Sequence, residues 1–273
     1  MPYQRILTMQ DISCIGQCSM TVALPIISAC GHEVCILPSA ILSTHTVGFG
    51  KPVLCNLQLY LDSICSHWKQ EEIAFDAIYI GYLGSLDAVR IASQIADEML
   101  VPGGKLIVDP AMADHGKLYR GLSEAYANEM SKLCLRADVM LPNVTEAAMM
   151  TGIAYQEHFD ESYVQDILTK LGGNNVVLTG TSFCLEKTGA AIRSDGKIQY
   201  YFHDRFDQNF HGTGDIFASV FTGAWMQGKT LEEAVQISAD FTSKAIYNTI
   251  QNPAHWYGVK FETVLPYLMN MLK

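Results

Sequence analysis

Short apolar runs alternate with longer helix-like segments along most of this chain. The runs are rich in the aliphatic side chains of buried strands, and they end at glycine or polar residues. They lie at 3–9, 33–37, 77–80, 105–108, 138–141 and 176–179. Segments with helical periodicity lie between them, at about 18–30, 55–68, 85–99, 145–151 and 162–171. Because parallel strands need crossover helices, this alternation predicts a three-layer α/β/α fold around a doubly wound, mostly parallel sheet.

The remainder of the chain departs from this alternation. Three strand-like runs at 183–187, 190–193 and 198–202 are too closely spaced for crossover helices, so they predict an antiparallel meander at the sheet edge. Its turns are expected at Gly189 and at Asp195-Gly196. Helices are predicted at about 216–227, 231–249 and 261–272. Since no repeat, low-complexity tract or linker interrupts the pattern, we expect one domain over residues 1–273.

The charge of the chain disfavours some classes of partner. Its 18 Lys and Arg residues against 28 Asp and Glu residues give a formal net charge of −10, without a basic cluster, so we expect a small-molecule ligand rather than nucleic acid. The apolar stretch at 22–27 is short and contains Pro25, and Asp11 precedes it where a secretion signal needs basic residues. We therefore expect a soluble cytoplasmic protein that does not enter a membrane.

The eight cysteines carry no metal-binding pattern. They form no CxxC pair, so reduced thiols are expected. A zinc site at Cys14 and Cys18 would lack a second pair nearby.

A glycine-containing turn precedes the helix-like segment that begins at Ile216. In Gly212-Thr213-Gly214-Asp215 the glycines permit positive φ, and backbone N–H groups can meet an anion at the positive end of the helix dipole. A carboxylate there would repel a bound phosphate unless it has a task of its own, and taking the proton of an attacking hydroxyl is such a task. The alternative is that Asp215 only caps the helix and the glycines only make a turn.

Polar side chains lie at the ends of three predicted strands. They are Asp109, the pair Asn143 and Glu146, and Thr179, which could offer a hydroxyl group to a phosphate. The carboxyl ends of parallel strands meet at one edge of a sheet, where carboxylates can hold magnesium and magnesium can neutralise nucleotide phosphates. Glu146 also fits a capping box with Asn143, which does not exclude the functional interpretation.

A second polar group follows apolar runs in the N-terminal half. It comprises Asp11, Ser13, Ser43-Thr44-His45-Thr46 and Tyr82. These side chains can converge over the same sheet edge and offer hydrogen bonds and a stacking surface to a small polar ring. For His45 the alternative is a locally hydrogen-bonded loop histidine.

Five motifs, in this order and spacing, give the chain a resemblance to the pyridoxal kinases of the ribokinase superfamily. They are Ser43-Thr44-His45-Thr46, Gly81-Tyr82-Leu83-Gly84-Ser85, Asp109-Pro110-Ala111-Met112, Asn143-Val144-Thr145-Glu146 and Gly212-Thr213-Gly214-Asp215. The resemblance spans nearly the whole chain. It implies a ribokinase-like fold, MgATP-dependent phosphorylation of the 5′-hydroxymethyl group of pyridoxal, pyridoxamine or pyridoxine, and commonly a homodimer with potassium (K⁺) stimulation.

The resemblance also implies roles for individual residues. Asp215 would be the catalytic base, and Gly212, Thr213 and Gly214 would form the anion hole. Asp109 and Glu146 would serve magnesium (Mg²⁺). The ATP site would include Asp114, Tyr119, Asn143 and Thr179. Thr46 and Tyr82 would lie against the pyridine ring, and Asp11, Ser13 and His45 complete the predicted substrate group.

Departures from the resemblance lie in the substrate half. Pyridoxal kinases usually carry a Ser-His pair after the first strand and then Gly-x-x-Gly-Asn, where this chain has Asp11-Ile12-Ser13 and Gly16-Gln17-Cys18-Ser19. Asp11 can accept a hydrogen bond from a ring hydroxyl or attract a protonated amine, which favours pyridoxamine. The related hydroxymethylpyrimidine kinases are the alternative.

Two further classes of function are disfavoured. A non-catalytic B6-binding protein on the same fold has no need of Asp215, Glu146 and Asp109 together. A serine hydrolase would need the G-x-S-x-G motif, which the sequence lacks.

Overall fold

The computed structural model describes residues 3–208, 210–252 and 254–273. Its strands are β1 (Arg5–Ser13), β2 (Glu33–Leu42), β3 (Leu54–Asn56), β4 (Phe75–Ile80), β5 (Leu100–Val108), β6 (Ala113–Asp114), β7 (Lys117–Leu118), β8 (Val139–Met140), β9 (Asn175–Cys184), β10 (Lys187–Ser194) and β11 (Lys197–Asp204). Its α-helices are α1 (Met20–Ala29), α2 (Gln58–Gln70), α3 (Leu86–Glu98), α4 (Glu124–Arg136), α5 (Val144–Thr151), α6 (Glu161–Lys170), α7 (Thr213–Met226), α8 (Leu231–Ile250) and α9 (Leu265–Met271). A 3₁₀ helix covers Phe261–Val264.

A nine-stranded sheet organises the fold, in the order β11-β10-β9-β8-β5-β4-β1-β2-β3. The central pairs from β9 to β2 are parallel. β10 and β11 add antiparallel strands at one edge, and β3 pairs antiparallel with β2 at the other. The mostly parallel, doubly wound α/β/α architecture and its antiparallel meander are therefore confirmed.

Alternate residues of the central strands enter two separate cores. Leu7, Ile78 and Leu106 face the layer of α2 to α6, whereas Ile6, Tyr79 and Ile107 face α1, α7 and α8. Because both faces are covered, these strands need apolar side chains in both directions, and this explains the continuous apolar runs in the sequence. The carboxyl ends of β2, β4, β5 and β8 lie at one edge of the sheet, and four of the five motifs follow these strands. The fifth motif, at Gly212, forms the N-terminus of α7.

Three details of the predicted secondary structure are wrong. Cys55 lies in β3, and the helix expected from that position begins at Gln58. The run at 183–187 is not a strand of its own, because β9 continues to Cys184 and the chain turns before β10 begins at Lys187. Gly189 lies inside β10 rather than in a turn, and an added Cβ there would stand 1.9 Å from the Tyr201 carbonyl oxygen.

Two elements between β5 and β8 were not predicted. The β6–β7 hairpin consists of two-residue strands, too short to show an alternating pattern. Helix α4 mixes charged and polar residues with few buried positions, namely Tyr126, Met130, Leu133 and Cys134. These buried side chains belong to the core between the sheet and the layer of α2 to α6.

The described residues contain no helix long and apolar enough to cross a membrane. The eight cysteines are free thiols. Asn209, in the polar segment ahead of the Gly212 turn, lies outside the described residues.

Candidate active site

The Gly212 turn lies directly against the loop that follows β1. Gly212 is the N-cap residue of α7 and has a left-handed backbone with φ of 81°. A Cβ atom added to it would stand 1.9 Å from the carbonyl oxygen of Gln17, so only glycine fits this approach. The first N–H groups of α7 have no partner within the helix, and they lie at the positive end of its dipole. This geometry suits an anion.

Asp215 lies in the first turn of α7 and is half-buried. Burial raises the pKa of its carboxyl group to about 7, and the nearby Asp11 carboxylate adds to the rise, whereas the backbone N–H of Ser19 opposes it. A carboxyl group with a pKa near neutrality can accept a proton and release it again at physiological pH. This carboxyl group lies directly after the turn whose geometry suits an anion.

Asp109 follows β5 at the same edge. Its backbone N–H donates to the Ile80 carbonyl oxygen at 2.8 Å, and its Oδ1 accepts a hydrogen bond from Ala111 N–H at 3.2 Å. Burial raises the pKa of Asp109 well above its usual range, and the carboxylates of Glu146 and Asp215 raise it further. Three acidic side chains therefore share one region, an arrangement that a cation would stabilise.

Glu146 is buried at the N-terminus of α5. Its Oε2 accepts from Asn143 N–H at 2.8 Å, and Asn143 Oδ1 accepts from Glu146 N–H at 3.0 Å, which completes the capping box. Its Oε1 accepts from the N–H groups of Met112 and Ala113 at 2.8 and 3.3 Å. Burial raises the pKa of Glu146 to about 7 even though these N–H groups lower it. Glu146 thus attaches the segment after β5 to α5.

The predicted nucleotide residues surround this junction. Asn143 Nδ2 donates to the Ala113 carbonyl oxygen at 2.8 Å, and Asn143 forms an isolated parallel bridge with Thr179. Asp114 is exposed on the β6–β7 hairpin. Tyr119 follows the hairpin, and burial together with the Glu146 and Asp114 carboxylates raises its pKa. The structure therefore brings all four residues to the acidic region.

The predicted substrate residues Asp11, Ser13 and Tyr82 also come together. Asp11 N–H donates to the Tyr82 carbonyl oxygen at 3.2 Å, and Ser13 Oγ donates to Asp11 Oδ2 at 3.2 Å. Asp11 is only 4% exposed, and burial raises its pKa although hydroxyl groups of Ser19 and Ser13 lower it. Burial raises the pKa of the Cys18 thiol to about 12, and Asp215 and Asp11 both add to the rise. Cys18 therefore lies near both carboxylates.

The ring of His45 is held by hydrogen bonds at both of its nitrogens. Nδ1 accepts from Val47 N–H at 3.2 Å, so Nε2 carries the proton and donates to the Tyr257 carbonyl oxygen at 3.0 Å. The ring packs against Phe49 at 5.0 Å and is 5% exposed. These contacts agree with the alternative of a hydrogen-bonded loop histidine. Thr46 is exposed beside it.

The loop between β1 and α1, which contains Gln17, makes contacts that the sequence did not indicate. Gln17 Nε2 donates to both carboxylate oxygens of Glu262 at 2.8 and 2.9 Å, and Gln17 Oε1 lies 2.7 Å from His255 Nε2. These partners are more than two hundred residues away in the sequence, so no local pattern could reveal them. Gly16 is the one glycine of this loop, and a Cβ atom there would stand 2.1 Å from Cδ2 of the His45 ring.

Proteins similar to this chain include phosphomethylpyrimidine kinases and pyridoxal kinases. A family model described as phosphomethylpyrimidine kinase matches residues 64–259. The pyridoxal kinase of Lactobacillus plantarum has a crystal structure that superposes with a TM-score of 0.91 at 32% identity, covering 99% of this chain and 98% of that chain. A crystal structure from Bacteroides thetaiotaomicron, of a protein assigned as a phosphomethylpyrimidine kinase and in a form with pyridoxal, superposes with a TM-score of 0.89 at 32% identity, covering 98% and 96%.

A curated relative matches over a shorter span. The hydroxymethylpyrimidine/phosphomethylpyrimidine kinase of Haemophilus influenzae is 30% identical over 176 residues, which are 61% of this chain and 63% of that enzyme. The chain thus spans less than two thirds of the length of this relative.

Proposed function

Because this chain belongs to the phosphomethylpyrimidine kinase family, with pyridoxal kinases among its structural neighbours, we propose that it is an ATP-dependent small-molecule kinase. It transfers the γ-phosphoryl group to the 5′-hydroxymethyl group of a vitamin B6 vitamer, namely pyridoxal, pyridoxamine or pyridoxine. The observation that carries the proposal is Asp215, a carboxyl group with a pKa of about 7 in the first turn of α7, directly after a glycine turn that suits an anion.

Asp215 orients the substrate hydroxyl group and takes its proton as the oxygen attacks the γ-phosphorus atom. The bond from that phosphorus to the bridging oxygen of ADP breaks, and the N–H groups of Gly212, Thr213 and Gly214 stabilise the negative charge on the phosphoryl oxygens. The enzyme forms no covalent bond in this reaction. The proton leaves Asp215 for solvent when the product departs, which a pKa near neutrality permits.

The acidic region fits magnesium. Among the described residues no three His, Cys, Asp or Glu side chains form a metal-binding group, so the protein alone does not enclose an ion. The half-buried Asp109 and the buried Glu146 suit an ion that keeps several waters and phosphate oxygens as ligands. When bound there, magnesium would neutralise charge on the nucleotide phosphates. Asp109 is the more direct candidate, because both oxygens of Glu146 accept backbone hydrogen bonds.

Asp11 bears on the choice of heterocycle. A carboxylate that is 4% exposed in a substrate pocket favours a ligand that presents a hydrogen-bond donor or a positive charge. Pyridoxamine offers an ammonium group and a ring hydroxyl group. The aminopyrimidine ring of hydroxymethylpyrimidine offers an exocyclic amine, so Asp11 also favours the second candidate, a hydroxymethylpyrimidine kinase.

A side-by-side assay tests the proposal. The purified protein is incubated with MgATP and each of pyridoxal, pyridoxamine, pyridoxine and hydroxymethylpyrimidine, and ADP release is followed by a coupled assay. We expect the highest kcat/KM with a B6 vitamer. The highest value with hydroxymethylpyrimidine would select the second candidate. Saturable binding of a vitamer without ADP release would indicate the non-catalytic alternative.

A further inference from the structure

The loop between β2 and β3 packs against the segment that follows α8, about two hundred residues away in the sequence. His45 Nε2 donates to the Tyr257 carbonyl oxygen at 3.0 Å. The Phe49 ring lies 4.7 Å from the Trp256 ring and 6.2 Å from the Tyr257 ring, measured between centroids. Trp256 remains 48% exposed, so it lies on the outer side of this contact. Aromatic rings and one hydrogen bond therefore join the two segments.

Gly48 allows the loop to approach the Trp256 ring. A Cβ atom at Gly48 would stand 2.4 Å from Cζ3 of Trp256, a distance at which real Cβ atoms are not found. Gly48 also has a φ of 78°, in the left-handed region that favours glycine. At Gly50, by contrast, no described residue other than its chain neighbours would lie within 4 Å of an added Cβ atom. The close approach of Trp256 thus explains the glycine at position 48 but not the one at position 50.

The same loop also contacts the surroundings of the anion turn. His45 N–H donates to the Ile15 carbonyl oxygen at 3.0 Å, and the His45 ring lies against Gly16. The centroid of this ring is 5.6 Å from that of His211, which directly precedes the Gly212 turn. The loop therefore touches the segment after α8 on one side and the candidate active site on the other.

We propose that Trp256 is a positioning residue of this site, whose ring holds the β2–β3 loop in place and thereby keeps Thr46 at the heterocycle pocket. The inference rests on the proposed function, under which Thr46 lies against the ring of the substrate. Thr46 is exposed and lies between His45 and Gly48, both of which contact the segment after α8. These contacts fix the backbone on both sides of Thr46. Ordering the loop before the substrate arrives lowers the entropy cost of binding.

Replacement of Trp256 should weaken binding of the heterocycle and leave binding of ATP intact. In Trp256→Ala the loop is released and Thr46 is displaced, so KM for pyridoxamine and for hydroxymethylpyrimidine should rise about tenfold, as for one lost hydrogen bond. We expect kcat and KM for ATP to change by less than about twofold, because the loop carries none of the residues predicted to bind the nucleotide. Trp256→Phe keeps an aromatic ring beside Phe49 and should recover most of the affinity for the heterocycle.

A double-mutant cycle tests whether Trp256 acts through Thr46. Alone, Thr46→Val removes the hydroxyl group and should raise KM for the heterocycle about tenfold. Added to Trp256→Ala, the same substitution should raise KM by less than about threefold, because a displaced hydroxyl group no longer contributes to binding. Equal effects of Thr46→Val in the two backgrounds would overturn the inference.

Two glycines of the loop supply a second variant and its matched control. Gly48→Ala places a methyl group against the Trp256 ring at a positive φ, so it should displace the loop and raise KM for the heterocycle as Trp256→Ala does. Gly50→Ala meets no such obstacle and should leave kcat and both KM values unchanged. A KM for Gly48→Ala equal to that of wild type would show that the ring contact does not hold the loop, and it would overturn the inference.

Hydrogen exchange in the unliganded protein tests the contact without turnover. The amides of His45 and Val47 donate hydrogen bonds within the fold. They should exchange about tenfold faster in Trp256→Ala than in wild type, whereas the amides of α7 should keep their protection and Gly50→Ala should match wild type. Unchanged exchange of the two loop amides in Trp256→Ala would overturn the inference.

Failure of the proposed function gives a different result. Wild-type protein that phosphorylates none of the four heterocycles would overturn the proposed function, and the exchange rates would still decide whether Trp256 holds the loop.

Discussion

Glu146 Oε2 accepts a hydrogen bond from the backbone N–H of Asn143 at 2.8 Å, and Asn143 Oδ1 accepts one in return from Glu146 N–H at 3.0 Å. The same carboxylate accepts from Met112 and Ala113 through its other oxygen. One side chain therefore caps α5 and holds the segment that follows Asp109. The capping and functional interpretations of Glu146 are compatible, and they can be separated by experiment.

Glu146→Gln should affect both stability and magnesium dependence. The new amide group turns a donor toward backbone N–H donors, so at least one hydrogen bond is lost, at about 1–3 kcal/mol of unfolding free energy. The displaced segment moves Asp109, and the magnesium concentration for half-maximal rate rises. Glu233→Gln is the matched control, because Glu233 forms an exposed capping box with Thr230 on α8. A stability loss with an unchanged magnesium requirement would restrict Glu146 to capping.

Asp11→Ala should change the choice among vitamers. We expect a larger loss of kcat/KM for pyridoxamine than for pyridoxal, because only pyridoxamine carries the aliphatic ammonium group that the carboxylate attracts. Asp11→Asn preserves the volume and removes the charge, so it should show the same order of losses. Steady-state kinetics with both vitamers measure the ratio. Equal losses would mean that Asp11 does not recognise the amine.

The stability of the unliganded protein should depend on the ionisation of Asp215. Its pKa is about 7 in the folded protein, above the usual 3.8, so the folded state binds more protons than the unfolded state between about pH 4 and 7. The protonated carboxyl group of Asp215 therefore contributes to the free energy of unfolding at low pH. This contribution is lost as pH rises from about 4 to 7. Asp215→Asn should therefore raise Tm at pH 8 and change it little at pH 4.

Comparing the Tm of Asp215→Asn with that of wild type removes the contributions that other titratable groups make to the pH dependence of stability. Burial lowers the pKa values of His32, His211 and His255, and these groups destabilise the folded state as pH falls. They are present in both proteins and cancel in the difference. An equal Tm change at the two pH values would contradict the raised pKa of Asp215.

His45→Phe should act on stability more than on turnover. The phenylalanine ring keeps the aromatic contacts but loses the hydrogen bonds to Val47 and Tyr257, at about 1–3 kcal/mol. We expect kcat/KM to fall by less than about tenfold, since a ring with both nitrogens occupied has no free group for a ligand. An unchanged Tm with a loss of kcat/KM above about a hundredfold would make His45 a direct substrate ligand.

The sequence indicated the fold because its strands are buried on both faces. Ile78 and Tyr79 enter opposite cores, so both must be large and apolar or aromatic, and the run is visible without an alignment. Because these strands can be recognised in the sequence, the residues that follow them, including Asp109 and Asn143, could be placed at the sheet edge. The β6–β7 hairpin and β3 escaped prediction because strands of two and three residues have no measurable period.

The parts of the site that depend on distant partners could not be predicted. The His45 ring is fixed by the Tyr257 carbonyl group, 212 positions away. Ser19, with a positive φ of 48°, follows a loop in which Gln17 contacts Glu262 and His255, and these two partners lie more than two hundred positions away in the sequence. Local patterns therefore predict which elements reach the site, whereas tertiary contacts decide how the side chains are used.

The most direct measurement is single-turnover phosphoryl transfer from γ-labelled ATP to a B6 vitamer by wild type and Asp215→Asn, with nucleotide affinity measured on both. The substitution keeps the shape of the side chain and removes its ability to accept the proton. We predict that the transfer rate falls by about 10²–10⁴ while ATP affinity and folding are retained. Transfer by Asp215→Asn at a rate near that of wild type would contradict the role of Asp215 as the catalytic base.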